Sequence, residues 1–186
     1  MADAQELGRF FSLISRLKAL ERTGWKEHGV QPPRDTSASH SFGAALLGWV
    51  RAREEGLDEE KVVKMLLLHD LVEAVIGDLT DSEVPQPEKR AKEDAGFDRI
   101  IRSLPESIRD EAAALFAEFQ EWKSPEATLA KECDKLDTLF QALDYGKRLK
   151  GIEKDFLKTY EHVFSTEKGK KLYAWIKKQA GQQAKK

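Results

Sequence analysis

The 186-residue chain has a single cysteine, Cys133, so no internal disulfide can form, and a reducing compartment is the natural expectation. It lacks any apolar run approaching the roughly 20 residues of a membrane span. Its first residues, MADAQELGRF, hold no basic stretch followed by a hydrophobic one, so no signal peptide is expected. An excess of one charge sign is also missing. Lys and Arg number 31 against 33 Asp and Glu, which gives no general attraction to nucleic acid or to a membrane surface. No segment alternates apolar and polar residues as a half-buried strand does. There is no internal repeat, and no linker long or polar enough to divide the chain. The expectation is a cytoplasmic, all-α protein forming one domain over residues 1–186.

What is present is helical periodicity. A first helix is predicted from Ala4 to Glu21, with Phe10, Leu13, Ile14, Leu17 and Leu20 at helical spacing, ending at Thr23-Gly24. A loop follows over 22–37, and a loop of that length in a compact domain is often functional. Ser37 or Ser39 is the expected cap of a second helix reaching Glu55, whose apolar residues are Phe42, Ala45, Leu46, Trp49 and Val50. Gly56 stops it, and Asp58 caps the next. Further helices are expected at Lys89–Ser103, Glu106–Trp122, Pro125–Tyr145, Glu153–Phe164 and Glu167–Gln179, with a frayed GQQAKK tail. That makes seven or eight helices, the last two packing on a core at about 7–146.

The third helix organises the rest. Val62–Asp78 reads VVKMLLLHDLVEAVIGD, apolar nearly all round, which belongs in the middle of a domain. Yet it carries His69, Asp70 and Glu73. Such groups are costly in an apolar setting unless paired or bound to a metal. His40 lies in the first turn of the second helix. On the Pro125 helix, Asp134, Asp137 and Gln141 follow at i, i+3 and i+7, so two acids sit on one flank of the apolar stripe. Two histidines and carboxylates from separate helices can meet around one divalent ion, and this N/O mixture suits Mn, Fe, Co, Ni or Zn better than Ca. Asp137 competes with Asp134 for the ligand role. Cys133 falls on the apolar stripe, so no nucleophilic triad is indicated.

His40, then His69-Asp70, then Asp134, in that order on helices, resemble the HD-domain metal-dependent phosphohydrolases. RTGW at 22–25, HDLVEAVIGDLT at 69–80 and KECDKLDTLFQALDYG at 131–146 are similar to the branch containing the 5′-deoxynucleotidases. The resemblance covers roughly Leu7 to Gly146. It implies that His40, His69, Asp70 and Asp134 ligate one divalent metal (Mn, Co, Fe, Ni, Zn or Mg). It also implies that Glu73 orients or deprotonates the attacking water, with Asp78 at the site mouth as a second acid or substrate contact. Arg22 would grip the phosphate and Trp25 would pack near the nucleoside. Asp137 would stand on the substrate side or support the site from behind. Each of the last group has a plainer reading: Arg22 as a cation ending the first helix, Trp25 as packing, Asp78 as a helix end beside Gly77.

The implied reaction is hydrolysis of (deoxy)nucleoside 5′-monophosphates to nucleoside and phosphate by attack of a metal-bound water, in a homodimer. No nucleic-acid polymer and no membrane are expected as partners. The alternatives are a phosphodiesterase or nucleotide triphosphohydrolase on the same metal site, or a non-catalytic module that senses a nucleotide. The sequence departs from the family at one place. The residue before the first histidine is commonly acidic there and is Ser39 here, in TSASHS.

Overall fold

The protein was analysed as a computed structural model, which describes residues 4–80 and 83–183. Among these, ten helices are present: α1 Ala4–Ala19, α2 Thr23–Glu27, α3 Ser37–Glu55, α4 Glu59–Leu68, α5 Glu73–Ile76, α6 Gln86–Ile101, α7 Glu106–Glu121, α8 Pro125–Gly146, α9 Ile152–Tyr160 and α10 Glu167–Gln183. A 3-10 turn, Glu161–Val163, follows α9. The described residues contain no strand; a lone bridge pairs Glu21 with Thr36. The fold is all-α, as the periodicity predicts.

Local chemistry sets most boundaries. The Asp58 side chain accepts from the Lys61 N–H at 3.0 Å and starts α4. Ser124 does the same for α8, with Pro125 at its first position. Gly56 ends α3 at φ 69°, a conformation that favours glycine. The cap of α3 is neither Ser37 nor Ser39 but Thr36. Its hydroxyl accepts from the Ser39 N–H, while Ser39 Oγ accepts from the Thr36 N–H at 2.8 Å. α10 continues through Gly181 to Gln183, beyond its predicted end; Ala184–Lys186 of the tail lie outside the described residues.

Two departures matter more. The organising helix is broken: α4 stops at Leu68 and α5 starts at Glu73. In an unbroken helix the Leu66 carbonyl serves the Asp70 N–H. Here it accepts the His69 ring Nδ1–H at 2.7 Å. The chain then tightens into i→i−3 bonds, from Leu71 N to Leu68 O and from Glu73 N to Asp70 O.

Second, α3 buries Ala45 but turns its larger apolar residues outward. Its buried face is His40, Ser41, Ala44, Ala45, Gly48, Arg51 and Ala52. Phe42, Leu46, Trp49 and Val50 face outward. Small residues win the inner face because α4 lies close: a Cβ on Gly48 would collide with Leu66 Cδ1 and Val62 Cγ1.

α8 is the axis of the packing. Leu129, Ala130 and Cys133 join Met65 and Leu66 of α4 in one buried cluster. Leu136, Leu139 and Leu143 join α9 and α10 through Phe156, Leu157, Tyr173 and Ile176 in another. A third cluster packs Leu13 and Leu17 of α1 with Leu71, Val72, Phe97 and Phe116. Beneath the α10 end, buried Glu132 accepts from the Ser165 and Thr166 N–H groups and pairs with Arg51 at 2.9 Å. The burial of these two charges is therefore compensated by partners on every side. No helix of the described residues is long and apolar enough to cross a membrane.

Candidate metal centre

Two helices and the α4–α5 turn bring the expected residues together. His40 comes from the first turn of α3, His69 and Asp70 from the turn, and Asp134 from the middle of α8. One ligand atom from each of His40, His69 and Asp134 lies within 4.8 Å of the other two. His40 Nε2 is 3.2 Å from Asp134 Oδ1 and 3.5 Å from Asp70 Oδ2. His69 Nε2 is 3.2 Å from Asp70 Oδ1 and 3.9 Å from Asp134 Oδ1.

The ring orientations are set from behind. The Leu66 carbonyl can only accept, so the Nδ1 of His69 carries hydrogen and a neutral ring presents the Nε2 lone pair forward. His40 Nδ1 stands 2.8 Å from Asp137 Oδ2, the carboxylate–histidine arrangement that orients a metal ligand. A Cβ on Gly43 would meet Asp137 Oδ1 and Cγ, so only glycine at that position lets the carboxylate lie so close. Both Nε2 atoms are buried and make no hydrogen bond, although carboxylate oxygens stand around them. Converging, fixed, orphaned imidazole nitrogens beside carboxylates fit a divalent transition ion.

The electrostatics agree. Burial would push the Asp70 carboxyl up, but His69, His40 and Arg22 outweigh it and hold it far below the usual range. Burial acts likewise on Asp134 and is overcome by Lys135, His40 and His69. Lys135 Nζ lies 2.9 Å from Asp134 Oδ2. Glu73 is the opposite case. Burial, Asp70 and Asp78 raise its carboxyl well above the ordinary value, against Arg22 and Ser37. Its Oε2 is buried and without a hydrogen-bond partner. Two neighbouring acids in one pocket are thus pushed to opposite ends of the carboxyl range.

Arg22, just before α2, reaches the cluster: its Nη1 is 3.1 Å from Asp70 Oδ2. Its position is fixed because Arg22 N–H donates to the Asp35 carbonyl at 3.0 Å, beside the Glu21–Thr36 bridge. Asp78 touches the same segment. Its Oδ2 accepts the Thr23 N–H at 2.5 Å, and its carbonyl accepts the Thr23 hydroxyl at 2.8 Å. Trp25 does not reach the cluster. It is 1% exposed and wedged between Tyr145 and Phe156, with ring centroids at 5.1 and 4.6 Å. Asp137 lies behind His40, on its Nδ1 edge rather than among the forward-facing atoms.

Three further residues join the site without having been expected there. Lys131 is one turn before Asp134 on α8. Its Nζ sits 3.7 Å over the Phe119 ring, and that ring meets His69 edge-on at 5.4 Å. Burial lowers the Lys131 ammonium to about 8 despite Asp134 nearby. Among the described residues no carboxylate lies within 4.0 Å of it. The i, i+3 spacing from Asp134 was the available signal. Asp35 is the second: Ser39 Oγ donates to its Oδ1 at 2.5 Å, and an Asp35 oxygen lies within 4.8 Å of ligand atoms of His40 and Asp137. Negative charge therefore stands at this corner although position 39 is serine. Gly43 is the third, and nothing short of the packing reveals it.

A family description of the HD domain matches residues 14–173. The chain belongs to the HD-domain family. Among curated HD-domain relatives, the 5′-deoxynucleotidase HDDC2 of Dictyostelium discoideum is 33% identical over 152 residues, covering 77% of this chain and 80% of that protein. The human protein of the same name is 32% identical over 143 residues, 76% and 69% of the two chains. A crystal structure of a Pyrococcus horikoshii OT3 protein superposes with a TM-score of 0.72 at 31% identity, covering 95% of this chain and 97% of that one. A structure titled as a predicted metal-dependent phosphohydrolase from Magnetospirillum magnetotacticum MS-1 gives 0.71 at 22% identity, covering 97% and 95%, and shares the HD-domain fold.

Proposed function

We propose that the protein is a divalent-metal phosphohydrolase that cleaves (deoxy)nucleoside 5′-monophosphates to nucleoside and phosphate. The observation that carries this reading is the pair of buried, unpartnered Nε2 atoms of His40 and His69 converging on Asp70 and Asp134. The names of the 5′-deoxynucleotidase relatives support the substrate class.

A divalent ion held by His40, His69, Asp70 and Asp134 would supply positive charge to a phosphoryl oxygen and lower the pKa of a water. The chain's own residues do the rest. Glu73 is the base. Its raised affinity for a proton, from burial, Asp70 and Asp78, suits it to take one from the attacking water. Arg22 offers a planar, always-charged donor set to the phosphate oxygens. In this structure Asp70 is its counter-ion, which keeps the guanidinium at the cluster before substrate arrives. Lys131 is the second phosphate cation: desolvated over Phe119 and without a carboxylate in ion-pair contact among the described residues, it is complemented by the substrate dianion. Asp78 anchors the Arg22–Thr23 segment through the Thr23 amide, so it positions Arg22. Trp25 acts indirectly, by holding α2 in the core. The protein works as a homodimer in this reading.

The test is release of inorganic phosphate from a panel of deoxy- and ribonucleoside monophosphates, with cyclic dinucleotides and deoxynucleoside triphosphates alongside. Turnover confined to the monophosphates supports the reading. Turnover of the diesters or triphosphates in their place overturns it.

A further inference from the structure

α3 carries an apolar stripe on its outer face. Its inner face is buried, with His40 and Arg51 among small residues, while its outer face carries Phe42, Leu46, Trp49 and Val50, exposed by 63, 44, 53 and 55%. Leu67 of α4 continues the stripe at 51%. The spacing of 42, 46, 49 and 50 is that of a helix seam. Two grooves run along the same face. One, about 410 Å³, lies between α1, α4 and α7 and is lined by Phe10, Ile14, Phe42, Leu67, Leu71 and Ile108. The other, about 660 Å³, is bounded by Phe42, Leu46, Trp49, Val63 and Leu67.

We propose that this face is the two-fold interface of the homodimer, with a second copy of the chain seating its Phe42 and Trp49 in these grooves. This assigns a definite surface to the dimer of the proposal above and does not depend on the reaction assigned there.

Area is the first argument. Five half-exposed side chains of this size present roughly 500 Å² of apolar surface, in the upper part of the range for the largest patch on a monomer, a patch that is often functional. With a polar rim it approaches the roughly 800 Å² per partner of a stable interface. Shape is the second. An isologous contact needs projections and recesses on one surface, and Phe42 and Trp49 border the grooves they would fill in the other copy. Charge is the third. The rim carries both signs: Lys64 bridges Glu60 and Glu111, and Arg53 bridges Glu59. A surface with three glutamates to two cations is repelled by an anionic membrane, which calls for a lysine excess, but it matches a copy of itself. Trp49 is already oriented, its Nε1–H donating to Glu59 Oε2 at 2.8 Å, so little ordering remains to be done on association.

Phe42 is two residues from His40 on the same helix, and Gly43 sits between the interface and Asp137. Burying the outer face therefore clamps the helix that supplies one ligand and its orienting pair.

Sedimentation equilibrium on the full chain tests this, using wild type, Trp49→Glu and Phe42→Ser, with far-UV circular dichroism to confirm helix content. Both positions are exposed, so the variants are expected to fold. Wild type should have twice the 21.1 kDa chain mass. Each variant should weaken the dimer by about 30-fold or more, the loss typical of a central aromatic anchor. A monomeric wild type, or variants that dimerise as tightly as wild type, overturns the proposal. Binding of the monomeric wild type to phosphatidylserine vesicles through Trp49 would overturn it in favour of a lipid surface.

Discussion

Asp137 Oδ2 lies 2.8 Å from His40 Nδ1, across a gap that only a glycine at position 43 leaves open. The pair lies outside the forward-facing cluster, yet it decides how one ligand nitrogen points. In the proposed function the metal affinity therefore depends on residues that never touch the ion. Asp137→Asn and Gly43→Ala should each weaken divalent-ion binding by about 10- to 100-fold, with helix content unchanged. Calorimetric titration with Mn or Co checks this, and unaltered affinity in both variants would refute it.

Glu73→Gln separates binding from chemistry. The amide keeps the shape of the side chain but cannot take a proton. Metal content and substrate affinity should stay near wild type, while phosphate release should fall by about 100-fold or more. A variant with near-normal turnover removes Glu73 from the mechanism.

Lys131→Met keeps the stem over Phe119 and removes the charge. A charge-assisted contact to phosphate is worth about 1.5–3 kcal/mol, so kcat/KM should fall by about tenfold or more. The loss should appear mainly as a higher KM, measured by steady-state kinetics across substrate concentration. A variant that alters kcat alone would contradict a ground-state phosphate contact.

Cys133 gives a prediction about pH. Burial pushes its thiol from the ordinary 9.0 to about 12. Between those values the unfolded chain ionises and the folded one does not, so this group's contribution is present below 9 and lost as pH rises through about 12. Wild type should lose stability faster than Cys133→Ala across that window, in urea titrations at successive pH values. At pH 8 the native thiol should resist a disulfide reagent until the protein unfolds.

Much of this was legible from residue types and spacing. Asp58, Ser124-Pro125 and Gly56 mark helix ends by chemistry local to a few residues, whereas the meeting of His40, His69, Asp70 and Asp134 was implied by the resemblance to HD-domain proteins, since helical spacing by itself leaves Asp134 and Asp137 as rivals on one flank of α8. What was not legible is non-local. The outward turn of Phe42, Leu46 and Trp49 follows from the close approach of α4 to Gly48, which periodicity on one helix cannot show. A Gly48→Ala variant should lose about 1–3 kcal/mol through that overpacking, measurable by urea denaturation. The break after Leu68 depends on one imidazole bonding the Leu66 carbonyl. Trp25 belongs to the core because Tyr145 and Phe156, more than a hundred residues away in the chain, close over it.

In the proposed function, one divalent ion at His40, His69, Asp70 and Asp134 supports phosphomonoester hydrolysis. The most direct measurement takes one chelator-treated sample, restores Mn or Co, and records metal per chain and phosphate released from deoxynucleoside 5′-monophosphates together. About one ion per chain is expected, with phosphate release rising in step with occupancy, and neither in His69→Ala. Full occupancy without phosphate release from any monophosphate would contradict it.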